Sequence, residues 1–281
     1  DFNLGPVNTK VGIMGAAIAR GFIFDNDFSG IMMTGKFGNV SVPVFYIRPT
    51  DEDAGGNPPD SNIFGGMASV KISDALKVTP YYVLLSVSGE ETDHWFLGAD
   101  VDMKMDVLSA WGTFIYNGGT NNDLDNKGFL LAAGVDAGIA HGQAFYATGD
   151  DNALDGDNDA FLPVPRGGSY YWAEIMGAGV FDNSISNGAP GDYITNIAAF
   201  NAGVTVKPMD KLSLSGDVWY AQLAEDNAAG DNELGWEFDV KATYALMDNL
   251  SLDAVFAYLA AGDATGDEDP MEAGLRLSLK F

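Results

Sequence analysis

The chain has 281 residues, with 40 acidic against 14 basic side chains and a formal charge of -26. That balance excludes a nucleic-acid partner, whose phosphates would be repelled. There is no cysteine, which excludes disulfides and thiolate metal sites, and no apolar run approaches the ~18 residues of a transmembrane helix.

The chain opens on Asp1-Phe2-Asn3-Leu4 ahead of the turn-like Gly5-Pro6-Val7-Asn8, as a chain entering partway along a strand would. From Thr9 onward one unit repeats: roughly ten residues of alternating character, a short turn, a second such run, then a longer acidic or glycine-rich loop. The expected strands are 9–19, 28–37, 40–49, 62–72, 76–88, 93–105, 108–118, 127–140, 142–149, 193–207, 211–223, 233–246, 250–262 and 270–281. Transmembrane strands need ~9–11 residues when tilted, whereas strands of soluble sheets more often have ~5–6. Runs 76–88 and 142–149 alternate poorly, which leaves their registers open.

The connections alternate in length. Short turns are expected at Gly38-Asn39, Ser73-Asp74-Ala75, Asp106-Val107, His141-Gly142, Pro208-Met209-Asp210 and Asp248-Asn249, and long loops at 50–61, 119–126, 150–192, 224–232 and 262–269. Tight turns at one end and long loops at the other describe an all-β, antiparallel up-and-down transmembrane barrel, with about fourteen strands visible in one domain spanning 1–281.

The faces agree with that assignment. In 94–105, Trp95, Leu97, Ala99, Val101, Met103 and Met105 alternate with His94, Phe96, Gly98, Asp100, Asp102 and Lys104. In 233–246, Leu234, Trp236, Phe238, Val240, Ala242, Tyr244 and Leu246 share one face, and the other carries Glu233, Glu237, Asp239 and Lys241, too charged for a soluble core. The last strand places Met271, Ala273, Leu275, Leu277, Leu279 and Phe281 opposite Glu272, Arg276, Ser278 and Lys280. Tyr46, Trp95, Tyr116, Tyr220, Trp236 and Tyr258 fall on the outward parity near the long-loop end, where an interfacial girdle belongs.

Together with the terminal Phe281, this pattern resembles the Gram-negative outer-membrane porins over nearly the whole chain. The stretch Arg20-Gly21-Phe22-Ile23-Phe24-Asp25-Asn26-Asp27-Phe28-Ser29-Gly30-Ile31 is similar to one in the alginate-export and related proteobacterial porin families. There it follows a strand ending in Gly-Arg-Gln, where this chain has Gly12-Ile13-Met14. The resemblance implies a bacterial outer-membrane location with short turns periplasmic and long loops extracellular. It also implies further strands upstream to make sixteen, contact with lipid and lipopolysaccharide, and a homotrimer as the common assembly.

If the polar faces line a lumen, the pore-lining candidates are Asp100, Asp102, Lys104, Asp136, Asp217, Glu237, Asp239, Lys241, Asp253, Glu272 and Arg276. Most of the inward lysines lie within about three residues of a short turn, so the periplasmic mouth is expected to be positive and the interior above it negative, which favours cations. Such charges can equally pair across strands and serve the wall. The loop 150–192 is far longer than a turn requires, and its apolar part, Tyr170-Tyr171-Trp172-Ala173-Glu174-Ile175-Met176, is expected to fold into the lumen or cap its mouth, with Arg166 and Glu174 near the constriction.

Asp155, Asp157 and Asp159 suggest a divalent-cation loop, although the glycine and glutamate positions of an EF-hand do not match. Acidic loop runs are also read as sites where divalent ions bridge to lipopolysaccharide. His94, beside Glu90, Glu91 and Asp93, is the one arrangement suited to acid–base hydrolysis at an extracellular rim. No nucleophile elbow, zinc motif or phosphate loop is present, so the expected function is passive passage of small hydrophilic solutes without cofactor or covalent chemistry. A plugged barrel acting as receptor, adhesin or scaffold is the alternative, and a soluble secreted β-domain a further one.

Overall fold

A computed structural model describes residues 1–49, 61–87, 92–121, 124–152, 154–165, 170–177, 179 and 193–280. Among the described residues, eighteen strands form one sheet. They are β1 (Phe2–Leu4), β2 (Val7–Ile18), β3 (Phe24–Phe37), β4 (Val40–Pro49), β5 (Ser61–Met67), β6 (Ser69–Lys71), β7 (Leu76–Val87), β8 (Thr92–Met105), β9 (Leu108–Asn121), β10 (Leu124–Asn126), β11 (Phe129–Ala137), β12 (Ala140–Ala147), β13 (Asp157–Asn158), β14 (Ile197–Met209), β15 (Leu212–Leu223), β16 (Glu233–Met247), β17 (Leu250–Ala261) and β18 (Met271–Leu279). The only helical element among the described residues is a 3-10 turn, Ala19–Gly21, after β2.

The long strands pair antiparallel with their sequence neighbours, from β2↔β3 to β17↔β18, with β9 meeting β11 and β12 meeting β14. β1–β2 and β18 are the two ends of this ladder. Taking β5 and β6 as one strand interrupted at Ala68, the wall strands correspond to those expected from the alternation. The two small strands β10 and β13 pair in parallel above the wall, inside connections expected to be loops.

The hairpin turns lie at one end of the wall, and two of them sit a few residues away from the expected positions. The turn expected at His141-Gly142 is Gly138-Ile139, since Ala137 pairs with Ala140 and Asp136 with His141. Gly138 has φ of 65°, the left-handed value that a glycine-first two-residue hairpin requires. The turn expected at Pro208-Met209-Asp210 is Asp210-Lys211, because β14 bulges between Val206 and Met209 and gains length. The strand expected at 28–37 begins at Phe24.

Polarity is inverted relative to a soluble fold. Leu275 is 71% exposed and Val240 56%, while Glu237, on the opposite parity of the same strand as Val240, is fully buried. Side chains that point away from the wall are apolar along its full height, including Leu97, Phe114, Leu131, Phe238, Val240 and Phe256. Outward aromatics join in a band toward the long-loop end: Trp95–Tyr116 at 5.6 Å, Tyr46–Phe64 at 5.1 Å and Tyr220–Trp236 at 4.8 Å between ring centres. Leu234 departs from its expected outward face and is buried, because a bulge opposite Gln222 turns it inward.

The inner side has two tiers. Toward the long-loop end it is apolar, with Phe45, Ile47, Ile63, Val83, Leu85, Phe96, Ile115, Leu130, Phe145, Ile197 and Trp219 buried against Phe22–Phe24, Phe161, Val164, Trp172, Ala173 and Met176. This explains the weak alternation of β7 and β12: their inner residues meet packed side chains rather than water, so both of their faces are apolar. Toward the turn end the inner residues are charged or hydroxylated.

With its outward side chain at mid-wall, Val240→Arg should lower unfolding stability in phospholipid vesicles by about 2–4 kcal/mol, the cost of a lipid-facing cation. Denaturant titration would detect it, and an unchanged stability would place Val240 away from lipid.

Candidate functional site in the lumen

Every pore-lining candidate in β8, β11, β15, β16, β17 and β18 lies on the inward parity, because the registers put Asp102 opposite Trp111, Asp136 opposite Ser109, Asp217 opposite Asp239, and Asp253 opposite Arg276. Their environments differ. Asp253 accepts from Thr243 Oγ1 at 2.6 Å and from Arg276 Nη2 at 3.2 Å, and Asp102 pairs with Lys77 at 2.9 Å and with Arg20 at 2.8 Å. Asp100 accepts from Thr113 Oγ1 at 2.7 Å. These groups are tied into wall networks.

Asp217 instead lies 2.7 Å from His141 Nε2 and accepts from Asn201 Nδ2 at 2.9 Å. Asp136 accepts from Ser109 Oγ at 3.2 Å, and a cavity of about 140 Å³ opens beside Trp111, Asp136, His141, Gln143 and Asn201. Lys104 and Lys241 make no ion pair among the described residues. At the turn end, Lys71, Lys77, Lys104 and Asp102 border a cavity of about 450 Å³. The Lys71 ammonium, 2.6 Å away, holds the exposed Asp74 carboxyl below its ordinary range.

Glu237 and Asp239 occupy alternate inward positions on β16 under the inserted loop. The Glu237 carboxylate accepts the Ile175 N–H at 2.6 Å and the Met176 N–H at 2.7 Å, and Asp239 Oδ2 accepts the Glu174 N–H at 3.4 Å. Three consecutive amides thus converge on two carboxylates, an arrangement of the kind that binds anions. Trp172 packs on Trp219 and on Phe145, with ring centres 5.2 Å apart in each pair, and Tyr170 donates to Gln143. Glu174 is buried at this contact, and Arg166 lies outside the described residues.

Tyr193 Oη donates to the Pro163 carbonyl at 2.7 Å, fastening the return of the loop. Burial pushes the Tyr193 hydroxyl up to about 12.

The proposed divalent-cation loop is divided in the structure. Asp157 pairs with Lys127, and Asp155 Oδ1 accepts the Asp157 N–H at 2.9 Å. Asp159 gathers instead with Asp150 and Asp151, their ligand atoms within 4.8 Å of one another; partial desolvation and then the Asp151 charge push the Asp159 carboxyl up. His94 does not stand at an open rim. It is buried against Phe96, with ring centres 4.6 Å apart, and its Nε2 has no hydrogen-bond partner among the described residues; Glu90 and Glu91 lie outside the described residues. Sequence reading also missed Arg20 as a lumen residue. Its only signal was a lone cation between two strand patterns.

No protein-family model matches the chain, and no curated protein matches its sequence. Its fold is similar to solved Pseudomonas aeruginosa outer-membrane porins. OccK3 (OpdO) shares 14% identity at a TM-score of 0.64, covering 99% of this chain and 77% of that one. OpdQ shares 12% at 0.63, with 98% and 76% covered, and OccK11 (OpdR) shares 13% at 0.62, with 98% and 76% covered. The chain therefore has the antiparallel β-barrel fold of Gram-negative outer-membrane porins.

Two measurements probe the loop seat. Glu237→Gln leaves one amide without its carboxylate oxygen, and hydrogen exchange at Ile175 and Met176 should accelerate at least tenfold, since a bond to a charged group is worth about 1.5–3 kcal/mol. For Tyr193, a hydroxyl raised on folding stabilises the native state fully below the ordinary tyrosine range and loses that contribution as pH rises through about 12. The difference absorbance of the parent protein minus Tyr193→Phe should titrate near that value.

Proposed function

We propose that the chain forms a water-filled pore in the bacterial outer membrane through which small hydrophilic solutes and ions diffuse down their gradients, with long loops extracellular, short turns periplasmic and a preference for cations. The observation that carries the reading is the excess of inward acidic side chains over inward cations on the inner wall. Asp136, Asp217, Glu237, Asp239 and Glu272 face inward with no Lys or Arg partner among the described residues, whereas Arg20, Lys77 and Arg276 are each held by a carboxylate. Carboxylates that border a narrow, low-dielectric passage concentrate cations and repel anions; Asp136 is exposed on the inner wall and Asp217 half-buried there, while Glu237 and Asp239 are buried beneath the loop.

The shape of the polar surface supports the same path. Around most of the wall the polar tier stops below the packed loop. Along β16 and β18 inward acids continue upward as Asp239, Glu237 and Glu272, all three buried, and the registers Asp217↔Asp239, Asp239↔Ala257 and Ala257↔Glu272 put Asp217, Asp239 and Glu272 in one row. Rows perpendicular to tilted strands climb a barrel as a helix, so the row leads from the turn-end vestibule toward the loops. Inward Lys104 and Lys241 lie on the turn-end side of it.

A second reading, a plugged barrel serving as receptor, adhesin or scaffold, is favoured by one observation: the upper tier is packed with Phe22, Phe161, Trp172 and Met176, all buried. Single-channel recording in a planar bilayer under a potassium chloride gradient separates the two. The pore reading expects steady conductance with a cation-favouring reversal potential, reduced toward zero in Asp136→Asn/Asp217→Asn/Glu272→Gln. A reversal potential favouring anions overturns the preference, and a folded but silent barrel favours the plug.

A further inference from the structure

Arg20 is the one basic side chain carried into the lumen by a connection rather than by a wall strand among the described residues. It leaves the end of β2 in the 3-10 turn, where Ala19 and Arg20 both take left-handed backbone, with φ of 51° and 59°. Consecutive L residues hold that conformation only where surrounding contacts impose it. Here the contacts lie well around the wall, on β8 and β9. Arg20 Nε donates to Thr113 Oγ1 at 3.0 Å, Nη2 donates to Asp102 Oδ1 at 2.8 Å and to the Val101 carbonyl at 3.3 Å, and Nε stands 3.9 Å from Asp100. The guanidinium also sits over the Trp111 ring, 4.9 Å from its centre.

The seat is built for this. Trp111 lies against Gly134 on the neighbouring strand, so closely that a Cβ there would come within 2.3 Å of its Nε1. The same turn delivers Phe22 into a stack with Tyr170 of the inserted loop, ring centres 4.0 Å apart, and the Phe22 N–H donates to the Ala19 carbonyl at 3.0 Å. Arg20 therefore lies at the boundary between the packed upper tier and the polar lower one, on a chord joining β2 to β8 and β9.

We propose that Arg20 is a selectivity-setting strut. It narrows the passage by holding the Ala19–Gly21 turn across the lumen, and together with Lys77 it neutralises Asp100 and Asp102, so that these two acids contribute little to cation preference while the strut is in place. The proposal rests on the pore reading for its effect on transport, but the strut itself does not. A guanidinium fork on two carboxylates, a hydroxyl and a carbonyl is a rigid multidentate contact, which an ammonium reproduces only in charge.

The test compares the parent, Arg20→Ala and Arg20→Lys in planar bilayers, with hydrogen exchange over residues 18–24 measured on the same preparations. Arg20→Ala should raise single-channel conductance at least twofold and move the reversal potential further toward the cation side, because the passage widens while Asp100 loses its cation and Asp102 keeps only Lys77. Arg20→Lys should keep the parent selectivity with intermediate conductance. Exchange of the Phe22 amide should accelerate in Arg20→Ala. A conducting parent whose Arg20→Ala variant matches it in both conductance and selectivity overturns the proposal and leaves the pore reading intact. A silent parent overturns the pore reading, and the strut is then decided by exchange: acceleration in Arg20→Ala supports it, and parent-like protection overturns it.

Discussion

The constraint on which the structure depends is that a chain crossing hydrocarbon must satisfy every backbone N–H and C=O within itself. A strand does so only through its neighbours, so the wall is a continuous antiparallel ladder, and the pleat then sends successive side chains to opposite sides. Polarity follows from that geometry. Val240 and Phe238 face outward because Asp239 and Glu237 face inward, and a one-residue slip of β16 would exchange the two sets at once. The bulge that buries Leu234 shows how locally such an exchange is contained.

A ladder alone leaves an empty cylinder, and the interior is organised by what enters it from the loop end. Among the described residues two connections do so, the turn after β2 and the segment between β12 and β14, and they meet where Phe22 stacks on Tyr170. Each brings both apolar and polar anchors. Aromatic packing of Trp172 on Trp219 and Phe145 supplies buried area, while Glu237 and Asp239 receive the backbone amides of residues 174–176, which would otherwise be buried without partners. The carboxylates of β16 thereby have two roles, as anchors of the loop and as part of the acidic inner surface.

That double use separates the inward acids into two populations. Asp100, Asp102 and Asp253 are spent largely within the wall, bound by Thr113, Arg20, Lys77, Thr243 and Arg276. Asp136, Glu237, Asp239 and Glu272 have no Lys or Arg partner among the described residues, and Asp217 meets His141 at 2.7 Å. Both sequence expectations for the inward charges, an acidic interior and pairing across strands, thus have residues that fit them.

What the sequence determined by itself was the wall: strand number, hairpin ends, the facing of 94–105, 233–246 and 271–279, and the outward aromatics, because a period of two is a local property legible along a single strand. It was least legible in β7 and β12, where Tyr81, Val83, Leu85 and Phe145 face a packed interior and erase the polar half of the alternation. Turn positions at Gly138-Ile139 and Asp210-Lys211 also escaped it, since a bulge or a glycine-first hairpin moves a turn without changing composition. Only the tertiary structure decided which charges are paired, that His94 is buried, and that Arg20 reaches Asp102. The last of these joins residues 82 positions apart across an enclosed space, and no pattern along the chain encodes a distance through its interior.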